Sequence, residues 1–346
     1  MNITDITNAK QLKDFMTTPS QALTMFMKTL SGDILILGGS GKMGPELVEM
    51  IIRADKSAGA GSRKIIVAST FSDPKEKALK ILQSLGIAVY KGNVSDRKFL
   101  EGLPDIKNII YMPGFKFGSS GNWEKSFHLN CIVPYLTGER FKSSNIVVFS
   151  SANPYLHTRP ENGGSKETDI LEPQGIYGWS IAARESAFRI TAEKSQNQKI
   201  CFYRLAYAQH LAYGVIVDLA KMVLKGENIS LSMPYVNLVS QRDANERAIF
   251  AFGLCSNPPS ILNVSGPIVS VKYILDKLSK LSGKNAKIID TEPETALVIN
   301  DNYCVKKFGA YKDKTDDIIE AAAKWVVNNG EYWDKPTMFG QVKHQY

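Results

Sequence analysis

DILILGGSGKMG (33–44) decides the fold. Four apolar residues run straight into a glycine-rich turn, with Gly38, Gly41 and Gly44 spaced GxxGxxG, and a helical stretch follows. A tight strand-to-helix turn needs glycine where the chain bends. It needs glycine again where a pyrophosphate must approach the backbone, and where the helix packs close to the strand. The helix N-terminus behind such a turn offers unpaired N–H groups and a positive dipole end to phosphate oxygens. Ser40, Lys42 and Met43 complete the expected phosphate-binding loop.

Further apolar runs of strand length follow: KIIVAS (64–69), IAVYKG (87–92), NIIYM (108–112), NIVVFSS (145–151), KICFYRLA (199–206) and SILNVSG (260–266). They are continuously apolar, as in strands covered on both faces. Helical stretches separate them. In SDPKEKALKILQSLG (72–86), Asp73 is expected as N-cap, Pro74 as first helical residue and Gly86 just past the end. The alternation predicts an α/β fold, a doubly wound parallel sheet of the Rossmann type. Residues 1–32 read as a short N-terminal helical extension, broken near Pro19. Residues 33–206, with the strand at 260–266 added, read as the NAD(P)-binding domain. Residues 207–346 read mainly as a smaller C-terminal substrate lobe and tail, with helices near 214–226, 270–282 and 314–328. The aromatic tail GEYWDKPTMFGQVKHQY (330–346) is expected to pack on the body.

The end of the second strand bears on the choice of cofactor. A carboxylate there would bind the ribose 2′-hydroxyl of NAD, but the chain reads Ala68-Ser69-Thr70-Phe71. Ser69 and Thr70 can hydrogen-bond a 2′-phosphate, with Lys42 or Arg63 neutralising it. The reading admits both NAD and NADP and leans toward NADP.

From about residue 33 to about 326 the chain resembles the NAD-dependent epimerase/dehydratase family, the extended short-chain dehydrogenases. GGSGKMG has the family's glycine spacing. KGNVSD resembles GD(I/V)xD, with Asn93 and then Val94 beside the adenine. YMPGFKFG resembles a segment bordering the cofactor, which brings in Pro113, Gly114 and Lys116. Asn130 stands where the family has a helix asparagine. FSSANPY puts Ser151 on the catalytic serine, and GIYGWSIAARE puts Tyr177 on the catalytic tyrosine. The resemblance implies a hydride exchanged between a substrate carbon and the nicotinamide. Tyr177 would act as general acid/base, and Ser151 would hold the same oxygen. It also implies a homodimer, through the helices after Asn122 and after Tyr177.

The pattern breaks at position 181, where the family's lysine is replaced by Ile181. An unperturbed tyrosine is phenolate in roughly one part per thousand at neutral pH, a deficit of about 4 kcal/mol. Three readings stand. Another cation replaces the lysine, with Lys116 preferred over Arg184, which lies about 10 Å further along the helix axis. Alternatively the chemistry differs and Tyr177 only orients substrate. In the third reading the chain is a degenerate dinucleotide-binding protein, a cofactor sensor or an RNA-binding relative.

The family's nucleotide-sugar asparagine is absent from Arg204-Leu205-Ala206-Tyr207, and its RDF segment appears only as Gln241-Arg242-Asp243-Ala244-Asn245, where Asp243 is read as a helix cap. The expected small-molecule substrate is therefore carbohydrate-like, with or without a nucleotide. Tyr155, His157, Tyr207 and His210 are its candidate contacts.

Composition narrows the remaining classes. With 44% hydrophobic and 22% charged residues the chain reads as an ordinary globular protein. No apolar run is long enough for a membrane span and no signal-peptide pattern opens the chain. The four cysteines lack CxxC spacing, which reads as cytoplasmic. They and the four histidines show no metal-ligand pattern. The net charge of +8 admits nucleic acid as a partner, but basic and acidic residues are mixed along the chain, which favours a merely solvated surface.

Overall fold

Strand β1 (Ile34–Leu37) is covered on both faces, and all four of its side chains are shut off from solvent. In the computed structural model, which describes residues 1–59, 61, 63–333, 337 and 339, the alternation along this strand divides the core. Ile34 and Ile36 join a cluster with Leu47, Val48 and Ile51. Leu35 and Leu37 join another with Val133, Ile146 and Phe188. Two apolar faces explain why the sequence shows no polar alternation.

The remaining strands of the central sheet are β2 (Ile65–Ser69), β3 (Ala88–Lys91), β4 (Asn108–Tyr111), β5 (Asn145–Ser151), β6 (Lys199–Leu205) and β7 (Ser260–Val264). Their order is β7-β6-β5-β4-β1-β2-β3, with every pairing parallel. This is the Rossmann order with one strand added beyond β6. From β1 the chain winds first to β2 and β3, then crosses back to β4. The loops leaving β1 and β4 diverge at that switch point and leave a crevice beyond the strand ends. β3 is less buried than its apolar run suggests, because it forms the sheet edge.

Helices α1 (Ala9–Thr17) and α2 (Gln21–Thr29) break at Pro19 and start from the side-chain caps Asn8 and Ser20. Their apolar residues go to different cores. Leu12, Phe15 and Met16 of α1 join the C-terminal cluster, whereas Leu23 and Met27 of α2 pack with the sheet. Helix α3 (Gly44–Ser57) follows the glycine turn. Helix α4 (Lys77–Ser84) begins later than expected. The Asp73 carboxylate accepts the Lys75 N–H in a local turn, and Glu76, at φ 48°, separates that turn from the helix. Helices α5 (Arg97–Glu101), α6 (Trp123–Phe127), α7 (Val133–Arg140) and α8 (Gly175–Lys194) complete the sheet's flanks. Pro134 has no N–H to offer the Asn130 carbonyl, and the chain widens into a π turn over His128–Ile132.

Helices α9 (Val215–Lys225), α11 (Val271–Ser282) and α13 (Thr315–Val327) bury Leu219, Ile274 and Ile319 in the C-terminal cluster. Helices α10 (Gln241–Phe250) and α12 (Asn302–Phe308) send Ile249 and Cys304 toward the sheet instead. Asp243 is not the cap of α10. Ser240 is, while the Asp243 carboxylate, inside the first turn, accepts the N–H groups of Lys312 and Asp313. Of the aromatic tail, Trp333 stacks on His210 at 4.4 Å and Phe339 meets Tyr207 edge-on. Residues 334–336, 338 and 340–346 lie outside the described residues. Among the described residues, no helix is long and apolar enough to cross a membrane, and no group of three His, Cys, Asp or Glu is placed to hold a metal ion.

Candidate active site

Each glycine of the turn has its own reason. Gly38 bends at φ 76°, and a Cβ there would lie 2.8 Å from the Pro113 nitrogen at the end of β4. At Gly44 a Cβ would fall 2.1 Å from the Gly39 carbonyl oxygen, which is the close approach of helix to strand. Gly41 differs, since a Cβ there would meet only the Gly38 oxygen, at 3.5 Å. The protein does not need glycine at 41 for its own packing, and the space in front of it opens on the crevice. That is the geometry a pyrophosphate requires. Gly39, which the GxxGxxG reading passes over, is a packing glycine pressed against Val67 and Ile36.

The crevice encloses about 450 Å³. Gly38, Gly41, Lys42, Met43, Lys116, Ser151, Tyr177 and Tyr207 all line it. Its only charged lining residues, among those described, are Lys42 and Lys116. The other candidates for cofactor contact lie around it. Ser40 Oγ and Ser69 Oγ hydrogen-bond at 2.6 Å and tie the turn to the end of β2. Thr70 is exposed. Asn93 Oδ1 accepts the Ser95 N–H in its own turn, and Val94 is buried in the sheet core.

Neither cation expected to meet a 2′-phosphate is set toward the end of β2. Lys42 lies 3.6 Å over the Tyr213 ring, across the crevice. Arg63 is buried at the other end of β2, where it pairs with Asp55 and donates to the carbonyls of Met27 and Leu30. These placements lend the lean toward NADP no support.

Ser151, Tyr177 and Lys116 come from β5, α8 and the loop after β4, and all three line the crevice. The Ser151 hydroxyl donates to Asn153 Oδ1 at 2.8 Å and accepts the Asn153 N–H. Lys116 Nζ sits 5.5 Å from the centre of the Tyr177 ring and 5.5 Å from that of Phe117. Burial pushes the Lys116 ammonium down to about 8. Ile181 is fully buried and takes no part in the crevice lining. Arg184 is also buried, and its guanidinium donates to the Phe149 carbonyl and to Asn130 Oδ1. Asn130 in turn bonds both backbone groups of Phe115. Gly114 has no side chain because Arg184 fills that space.

Two of the substrate candidates are corrected. Tyr155 turns away from the crevice, and its hydroxyl accepts from Arg204 and donates to Asn263 Oδ1. It lies over a buried ion pair in which Arg204 grips both carboxylate oxygens of Glu185. His210 is committed to Glu46, whose Oε1 lies 3.0 Å from Nε2, while Nδ1 accepts the Ala212 N–H. His157 is not among the lining residues, whereas Tyr207 is. Arg242 does not reach the crevice, because it pairs with Asp313 and covers the Phe15 ring. The residues the sequence did not single out include Phe117, beside Lys116, and Tyr213, Met233 and Leu297, which arrive from more distant segments. Only the aromatic character of Phe117 and Tyr213 could have marked them.

An open parallel sheet with a glycine turn at its switch point defines a Rossmann-type α/β fold. No family model matches the chain, and no curated protein matches it. Solved structures do match its shape. UDP-glucose 4-epimerase of Thermus thermophilus, in complex with NAD, superposes with a TM-score of 0.67 at 16% identity, covering 86% of this chain and 99% of the epimerase. UDP-glucuronic acid 4-epimerase of Bacillus cereus, with NAD, gives 0.68 at 16%, covering 85% and 98%. The Bordetella bronchiseptica enzyme WbmG, with NAD and UDP, gives 0.67 at 21%, covering 86% and 94%. The chain is similar to these proteins in fold.

Proposed function

We propose that the chain is an NAD-dependent oxidoreductase or epimerase acting on a hydroxyl of a sugar-like substrate. The observation that carries this reading is the Lys116 ammonium over the Tyr177 ring, in the same crevice as Ser151 and Gly41. The choice of NAD over NADP draws on the engagement of Lys42 and Arg63 elsewhere and on the NAD held by the three similar structures. The turn at Gly38–Gly44 and the N-terminus of α3 would hold the pyrophosphate. A bound nicotinamide supplies hydride acceptance and return.

The chain's own residues handle the proton. Tyr177 takes it from the substrate hydroxyl as hydride leaves the carbon, and returns it in the reverse step. Ser151 holds the same oxygen by a hydrogen bond. Lys116 supplies the positive charge that favours the Tyr177 phenolate, in place of the lysine absent at 181. A pyrophosphate in the crevice would favour its protonated form further.

The reading includes a homodimer. Trp123, Ile132, Trp179 and Ile190 are exposed on α6, the π turn and α8. They adjoin an apolar groove containing Phe127, Tyr135 and Ala183. Contiguous apolar surface of this kind is what a second copy buries. Ala183→Glu should shift the sedimenting species to monomer.

The test of function is a titration with NADH followed by incubation of the NAD-loaded protein with sugars and sugar nucleotides. Binding, with formation of reduced nicotinamide that Tyr177→Phe abolishes, is the expected result. Failure to bind any dinucleotide would sink the reading. Binding without reduction by any of them would favour a non-catalytic binder.

A further inference from the structure

Lys116 is carried on a loop rather than a helix, and its position over Tyr177 depends on what holds that loop. The backbone N–H and carbonyl of Phe115 both end on the Asn130 carboxamide, at 2.9 and 2.8 Å. The same carboxamide donates to Ser180 Oγ at 2.9 Å, and Ser180 Oγ donates to the Tyr177 carbonyl. Its oxygen also accepts Arg184 Nη2 at 2.7 Å. Two acceptor and two donor positions are therefore all used, which is the full capacity of an asparagine side chain. Arg184 carries the link onward, since Nη1 donates to the carbonyl of Phe149, two residues before Ser151. Each residue of the trio is thus tied to this pair, Lys116 through Phe115, Tyr177 through Ser180 and Ser151 through Phe149. Both Asn130 and Arg184 are buried, where such bonds are strong and their loss is costly.

Gly114 belongs to the same arrangement. A Cβ at 114 would stand 2.2 Å from Arg184 Nη2. The glycine is exposed and its φ is not in the left-handed region. Room for the guanidinium is its purpose.

We propose that Asn130 and Arg184 are a positioning pair that clamps the 113–116 loop and keeps the Lys116 ammonium over Tyr177. A cation held by a clamped loop thereby stands in for the helix lysine that Ile181 displaces. This rests on the reading of Lys116 given above. Arg184 is not itself the activating cation, because its Nη atoms are committed to Phe149 and Asn130.

The clamp can be tested without substrate or cofactor. The lysines of the full chain are reductively methylated with ¹³C-formaldehyde, and the Lys116 signal is assigned by its absence from Lys116→Met. In the wild type it should titrate near 8. Lys42, across Phe117, is the other lysine lining the crevice among the described residues and serves as an internal reference. Arg184→Met should release the loop into water and move the Lys116 midpoint up by more than one pH unit. Gly114→Ala, which leaves every charge in place and sits at an exposed position, should move it in the same direction. A Lys116 midpoint unmoved in Gly114→Ala overturns the clamp, whether or not Arg184→Met folds. So does an unmoved midpoint in a folded Arg184→Met. The functional reading fails separately, if Lys116→Met reduces bound NAD at the wild-type rate.

Discussion

Lys116 Nζ lies 5.5 Å from the centre of the Tyr177 ring, although the two residues are 61 positions apart and sit on different elements. A unit charge at about 5–6 Å from a phenolate oxygen would be worth about 3 kcal/mol at an effective dielectric of 20. That is most of what a tyrosine needs to ionise near neutral pH. Lys116→Met is therefore expected to lower kcat roughly a hundredfold, with Lys116→Arg recovering part of the loss. Steady-state rates of the three proteins at one pH check this.

The pH response follows from the same lysine. Its positive charge is present below about pH 8 and is lost above it. Rate support from Lys116 should fade as pH rises through that value, and Lys116→Met should lack this limb. Stability runs the other way. The folded-state pKa, about 8, lies below the ordinary 10.5. Between those values the unfolded chain binds more protons, so stability rises with pH. The Tm of the wild type should climb relative to Lys116→Met across this window. A flat difference would show that Lys116 is not desolvated.

Gly41 and Gly44 should separate binding from folding. Gly44→Ala drives a methyl against the Gly39 carbonyl at 2.1 Å and should cost several kcal/mol, on the order of 3 or more. Gly41→Ala has room within the protein, at 3.5 Å from its nearest neighbour. It should keep the wild-type Tm and bind NAD at least tenfold more weakly. Equal melting of the two variants would contradict this division.

Tyr155 and Tyr177 should behave oppositely. Tyr155→Phe removes a buried hydroxyl bonded to Arg204 and Asn263 and should cost about 1–3 kcal/mol of stability with turnover retained. Tyr177→Phe should melt like the wild type with turnover lost. Thermal melts beside activity assays decide the matter.

Glu185→Gln leaves Arg204 buried without its anion. Breaking one side of such a pair costs about 3–5 kcal/mol. Urea denaturation should show it as a lower midpoint, and replacing both residues by Met and Leu should recover part of the loss.

The strands were legible because burial on two faces imposes continuous apolar runs, and the glycine turn because steric limits leave no other residue at Gly38 and Gly44. The ends of α9 and α11 were equally local, at Gly226 and Gly283, which close them in left-handed conformations. Asp73 and Asp243 misled because a short acidic side chain serves a turn, a cap or a distant N–H equally well, and only its neighbours select among them. The same holds for Tyr155 and His210. Their chemistry suited a substrate contact, but Arg204 and Glu46, brought up from other parts of the chain, claimed them first. The resemblance of YMPGFKFG names Lys116 as the candidate for the lysine missing at 181, but its place over the Tyr177 ring lies beyond any local pattern. Spacing along a helix is written in the sequence, whereas the meeting of a β4 loop with an α8 tyrosine depends on parallel strands side by side in the sheet and on the Asn130 carboxamide that joins the two elements.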